Sequence, residues 1–125
     1  MIIDDKKSHS QFLQWILSDE HYQTYMANSF SEALKLLGEY SFDLILLDLM
    51  MPESDGFKIL NYLKKDMWLK KIPVIVVSAR SDRESIEDCL RKGAGDYIVK
   101  PYNSWDLKNK IALILGMKPT SPAPG

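Results

Sequence analysis

Asp43-Leu44-Ile45-Leu46-Leu47-Asp48-Leu49-Met50-Met51-Pro52-Glu53-Ser54-Asp55-Gly56 decides how this chain is read. Its apolar run is continuous rather than alternating, the mark of a central parallel strand covered on both faces. The run stops at a carboxylate, and a segment with proline and glycine at turn positions follows. A charge at the end of a buried strand is costly unless something pairs with it. The same shape recurs along the chain. Met1-Ile2-Ile3 meets Asp4-Asp5, Pro73-Val74-Ile75-Val76-Val77 meets Ser78, and Tyr97-Ile98-Val99 meets Lys100.

A fifth run, near Tyr22 to Ala27, is weak and polar enough for an edge strand. Amphipathic stretches fill the intervals. Phe12, Leu13, Ile16 and Leu17 form one apolar stripe, with Trp15 flanking it as a packing residue. Ser29-Phe30-Ser31-Glu32 has capping-box spacing and leads into Ala33, Leu34 and Leu37, with Gly38 as the expected stop. Phe57, Leu60 and Leu63 follow the Gly56 turn. Ser81-Asp82-Arg83-Glu84 repeats the capping-box spacing before Ile86, Cys89 and Leu90, and Gly93-Ala94-Gly95 closes that helix. Leu107, Ile111, Ile114 and Leu115 make the last stripe. Five strands and five helices in strict alternation predict a three-layer α/β fold.

At 125 residues the chain fits one domain. A composition of 46% hydrophobic and 26% charged residues is that of a globular protein, and a net charge of −1 offers no bulk electrostatic basis for binding nucleic acid or membrane. No apolar run approaches the roughly 18 residues of a membrane span, and acids follow Ile3 where a secretory signal would continue apolar. A cytoplasmic location is expected. The single cysteine, Cys89, rules out an intrachain disulfide and reads as a packed thiol. The folded domain is expected over residues 1–116. Residues 117–125, with prolines at 119, 122 and 124, read as a linker or disordered tail, or as the cut end of a longer chain.

In an open parallel sheet, functional groups gather at the carboxyl ends of the strands. The alternation therefore brings Asp4, Asp5, Asp48, Ser78 and Lys100 to one edge. Converging carboxylates repel, and a hard divalent cation such as Mg²⁺ resolves the repulsion, with Lys100 adding neutralisation. Such a site suits phosphoryl transfer to a carboxylate: Asp48 as nucleophile, with Lys100, the Ser78 hydroxyl and a backbone N–H near Ala79 on the transferred oxygens.

At these residues the chain resembles the response-regulator receiver domains, the chemotaxis regulator among them. The likeness rests on Asp4-Asp5, Leu47-Asp48-Leu49-Met50-Met51-Pro52 with Asp55-Gly56, Ser78-Ala79, and Gly93-Ala94-Gly95-Asp96-Tyr97-Ile98-Val99-Lys100-Pro101, in that order. It implies a doubly wound, flavodoxin-like sheet in the order 2-1-3-4-5. By position it implies Asp48 as phosphoacceptor. Asp5, Asp48 and the Met50 carbonyl become direct ligands of Mg²⁺ or Mn²⁺, and Asp4 acts through water. Ser78 and Tyr97 become switch residues, Lys100 the phosphate-holding cation, and the Lys100–Pro101 peptide is expected to be cis. A histidine kinase or phosphotransfer protein would donate the phosphoryl group. An output domain or effector would read the surface of the fourth helix, fifth strand and fifth helix, which could also form a homodimer. The domain itself would neither turn over a substrate nor bind nucleic acid or membrane.

Singly, these pieces have plainer readings: Asp4-Asp5 a solvated turn, Ser78 a strand-end hydroxyl, Lys100 a surface lysine. Four such accidents in this order are a poor alternative. His9 and His21 lack metal-ligand spacing and read as exposed polar residues; Trp68 and Trp105 are also expected at the surface, Trp105 as a partner anchor. Met50 and Arg80 occupy positions that tune phosphate lifetime in the family, and neither readily orients a water, so slow self-dephosphorylation is expected. Lys6, where the family often has an acid, would lower Mg²⁺ affinity. A phosphorylation-independent interaction module would keep this fold but tends to lose an acid or the lysine. A haloacid-dehalogenase-like phosphohydrolase would want a second aspartate where Met50 stands.

Overall fold

The computed structural model of the chain describes residues 1–51 and 56–117. Its elements are β1 (Ile2–Ile3), α1 (Lys7–Ser18), β2 (Met26–Ala27), α2 (Phe30–Glu39), β3 (Ile45–Leu47), α3 (Gly56–Lys65), β4 (Val74–Ser78), α4 (Arg83–Arg91), β5 (Asp96–Val99) and α5 (Ser104–Ile114), with a 3₁₀ turn at Leu69–Lys71. Residues Pro52 to Asp55 of the expected turn, and the proline-containing segment 118–125, lie outside the described residues.

The strands form one all-parallel sheet in the order β2-β1-β3-β4-β5. From β1 the chain winds outward to β2, then crosses back to β3 on the other side. The switch point therefore lies between β1 and β3. Register does the rest. Ile3 pairs with Leu47, so Asp4 and Asp48 leave the sheet side by side. Ser78 pairs with Val99, so Lys100 emerges beside Ser78, its N–H donating to the Ser78 carbonyl at 2.8 Å.

Because side chains alternate along each strand, the sheet has two apolar faces. Ile3, Ile45, Leu47, Val74, Val76 and Tyr97 pack with Ala33 of α2, Ile59, Leu60 and Leu63 of α3 and Cys89 of α4. Ile2, Leu46, Ile75, Val77 and Ile98 pack with Leu13, Ile16 and Leu17 of α1 and Leu107 and Ile111 of α5. Each fully buried Leu or Ile contributes roughly 1.5–3 kcal/mol. Burial also pushes the Cys89 thiol up to about 11, which keeps it protonated and unreactive.

Four local expectations are corrected. Trp15 does not pack: it is 72% exposed, on the face of α1 away from Leu13, Ile16 and Leu17, and stacks on half-exposed Phe12. Leu90 points outward from α4 as well. Gly38 does not stop α2, which continues to Glu39 because Tyr40, not Gly38, leaves the helical conformation. Ser81 is not the N-cap of α4. Asp82 is, its carboxylate accepting from the Ser85 N–H at 3.0 Å and the Ser85 hydroxyl at 2.7 Å, two bonds that a serine at position 81 cannot reach. The cap of α2 is Ser29, which accepts from the Glu32 N–H at 3.2 Å. The glycine signal after α4 ends the helix through Gly93 at φ +109°, with the Ala94 N–H on the Cys89 carbonyl and the Gly93 N–H on that of Leu90.

Candidate functional site

Asp48 follows β3 and is 2% exposed, yet both of its oxygens are claimed. The Met50 N–H donates to Oδ1 at 3.0 Å and the Lys100 ammonium donates to Oδ2 at 3.3 Å. Close contact between the loop after β3 and the start of α3 depends on Gly56. A Cβ there would lie 2.7 Å from the Asp48 carbonyl oxygen and collide with Leu49 backbone. Lys100 immediately precedes a cis peptide to Pro101 and also lies 3.8 Å from Asp4 Oδ2.

Asp4, Asp5 and Asp48 each offer an oxygen within 4.8 Å of the others. Asp5 Oδ1 is buried and, among the described residues, has no hydrogen-bond partner. A buried carboxylate oxygen without a donor, beside two further carboxylates, is an arrangement that a cation completes. The all-oxygen donor set fits a hard ion such as Mg²⁺ better than a soft one.

Asp4 differs from its neighbour. Burial alone would raise its carboxyl. The hydrogen bonds from His9 and from the Lys6 N–H, with the Lys100 charge, overcome that and hold it below the usual carboxylate range. Its carbonyl accepts from the Asn28 amide at 3.0 Å and the Ser10 hydroxyl at 3.4 Å. His9 is therefore not the exposed polar residue expected of it. Its side chain is 15% exposed, Nδ1 is on Asp4 Oδ2, and Nε2 lies 3.0 Å from the Tyr102 hydroxyl. The available signal was positional: His9 falls in the first turn of the helix that follows the acid pair, and Tyr102 directly follows Pro101. His21 is exposed, at φ 62° in the turn after α1.

Ser78 is fully buried and its hydroxyl accepts from the Arg80 N–H at 3.2 Å, while Ala79 between them is exposed. Tyr97 lies inward, its hydroxyl donating to the Arg80 carbonyl at 2.6 Å. The loop after β4 presents that carbonyl to the inward-lying ring. Burial raises the Tyr97 hydroxyl and the Ser78 side chain opposes that shift. Arg80 leans over the Phe57 ring, 5.8 Å from its centroid, and lies 3.5 Å from Asp82; Met50 is half exposed. Trp68 is exposed, with Lys71 5.4 Å from its ring centroid, and Trp105 is half-buried at the start of α5.

An acid cluster and a lysine at the switch point of a doubly wound parallel sheet place this chain among flavodoxin-like folds with a carboxylate site. The model of the response regulator receiver domain matches residues 1–112, and the chain belongs to that family. It is 32% identical over 116 residues to the two-component response regulator ORR11 of Oryza sativa subsp. japonica, covering 92% of this chain and 79% of that protein. It is 30% identical over 115 residues to the phosphate regulon transcriptional regulatory protein PhoB of Escherichia coli, covering 92% of this chain and 50% of PhoB. A probable cyclic di-GMP phosphodiesterase of Vibrio cholerae is 33% identical over 111 residues, 89% of this chain and 25% of that protein. The chain thus spans half or less of the length of these last two relatives. A CheY-like response regulator receiver domain protein from Methanospirillum hungatei superposes with a TM-score of 0.83 at 30% identity, covering 92% of this chain and 90% of that one. Among the described residues no helix is long and apolar enough to cross a membrane.

Proposed function

We propose that this receiver domain is a phosphorylation switch with Asp48 as its phosphoacceptor. A carboxylate oxygen of Asp48 attacks the phosphorus of a phosphohistidine on a histidine kinase or phosphotransfer protein. The new O–P bond forms as the N–P bond breaks, the imidazole leaves with the electron pair, and Asp48 becomes an acyl phosphate. The observation that carries this reading is a buried carboxylate bonded to the Lys100 ammonium, beside an Asp5 oxygen that has no partner among the described residues.

Asp5, Asp48 and the Met50 carbonyl would hold Mg²⁺ or Mn²⁺ directly, and Asp4 through water. When bound, the ion supplies neutralisation for the transferred oxygens. Lys100 holds one of those oxygens, and the Ser78 hydroxyl and Ala79 N–H hold another. Engaging Ser78 this way competes with its bond from the Arg80 N–H, and Arg80 also carries the carbonyl that keeps Tyr97 inward. The switch is then a redistribution of bonds around Arg80 that alters the α4-β5-α5 face. An output domain, a separate effector or a second copy of the chain reads that face, in the cytoplasm.

Incubation with acetyl phosphate and Mg²⁺ tests the assignment. Intact mass should rise by one phosphoryl group in the wild type and not in Asp48→Asn. Equal labelling of both proteins would show that Asp48 is not the acceptor.

A further inference from the structure

We propose that His9 is a positioning residue of the acidic site. It ties Asp4 to Tyr102, so that the cation-facing carboxylates and the turn after Lys100 are held as one unit. This rests on reading the three carboxylates as a cation site.

The bonding directions are set by the neighbours. Burial, and then the Asp4 charge, raise the Tyr102 hydroxyl far above its ordinary range, so it keeps its proton. It donates to His9 Nε2, 3.0 Å away. With Nε2 accepting, Nδ1 carries the ring proton, which is what Asp4 Oδ2 requires. Every atom in the row has one role. The Lys6 N–H occupies Asp4 Oδ1 at 2.9 Å and His9 occupies Oδ2, so Asp4 has a protein donor on each oxygen. Asp5 Oδ1 has none. The acid pair thus divides its labour: Asp5 faces the ion and Asp4 is anchored by the protein.

Lys100 makes the anchoring matter. Its ammonium is 3.3 Å from Asp48 Oδ2 and 3.8 Å from Asp4 Oδ2. Without His9, Asp4 Oδ2 keeps, among the described residues, only Lys100 as a partner. The lysine is then drawn from Asp48 toward Asp4, and the carboxylates lose the arrangement that receives the ion.

Calorimetric titration with MgCl₂, repeated with MnCl₂, tests this on the wild type, His9→Ala, His9→Asn, Tyr102→Phe, the Ala/Phe double variant and Asp5→Asn, with melting curves for each. His9→Ala should weaken binding about tenfold. His9→Asn, whose amide N–H reaches Asp4 from the place of Nδ1, should recover most of that loss. Tyr102→Phe should weaken binding about threefold alone and not at all in the His9→Ala background, because the row is already broken. The proposal is overturned if His9→Ala binds like the wild type, even with a lowered melting temperature, or if the two losses multiply independently. Should His9→Ala fail to fold, His9→Asn and Tyr102→Phe decide: both binding as the wild type does overturns it. If the wild type binds neither ion, or Asp5→Asn binds equally well, the cation-site reading itself fails and takes the proposal with it.

Discussion

Asp48 can stand buried at the end of a strand because two donors meet its oxygens there, the Met50 N–H and Lys100. An isolated carboxylate in that position would be neutralised by its surroundings instead. Lys100 is thus the residue whose loss should be felt most after Asp48. With no ammonium to meet charge on the transferred oxygens, Lys100→Ala should label with acetyl phosphate about a hundredfold more slowly, read from initial rates of mass gain; unchanged rates would remove Lys100 from the mechanism. Lifetime belongs to other residues. Met50 cannot orient a water, and Arg80 is engaged with Asp82 and Phe57. The acyl phosphate should therefore persist for minutes, while Met50→Asn, with an amide beside the phosphoryl group, should shorten its half-life about tenfold. A wild-type lifetime of seconds would end that account. Asp4, Asp5, Asp48, Ser78 and Lys100 were legible in sequence because each closes an apolar run, and register then gathers them. His9 was legible only by its place in the first turn after the acid pair, and its second partner, Tyr102, lies 93 residues away, where no sequence pattern links the two.

At the scale of elements, continuous apolar runs betrayed β3 and β4, since both faces of those strands are covered. Helix faces were read less well where apolar side chains spill beyond the buried stripe, as Phe12, Trp15 and Leu90 do. Periodicity marks which face is apolar, not how wide a strip the sheet can cover. Caps show the same limit. Both Ser81 and Asp82 are plausible caps by type, and only geometry chooses, through the two bonds Asp82 makes with Ser85. Asp82→Ala should therefore lower the urea denaturation midpoint, and Ser81→Ala should leave it close to unchanged. A larger loss from Ser81→Ala than from Asp82→Ala would show that the cap is misassigned. Because α4 forms part of the face proposed for readout, the Asp82 variant should also label normally while responding less distinctly to phosphorylation.

Taken whole, the molecule has two poles. The carboxyl edge of the sheet holds the acids and the lysine. At the amino edge lies a cavity of about 620 Å³ whose lining includes Met1, Thr24, Tyr25, Phe42 and Asp43. β1 starts inside that edge as a central strand, and the Met1 ammonium donates to the Leu44 carbonyl at 2.8 Å from a buried position. Burial lowers its pKa from the ordinary 8.0 to about 6, Asp43 pulling the other way. Between those two values the unfolded chain binds a proton that the folded chain refuses, so stability rises with pH across the window. Lowering the pH from 8 to 6 should cost the 125-residue chain about 2–3 kcal/mol from this group, with no further loss from it below pH 6. Urea midpoints measured at steps from pH 8.5 to 5.5 give the slope directly. A chain carrying a Gly-Ser pair ahead of Met1 has an uncharged amide nitrogen there, and the cavity beside it leaves room for the added residues. That variant should lose this share of the slope. If the extended chain shows the same pH dependence, the buried amine is not its source.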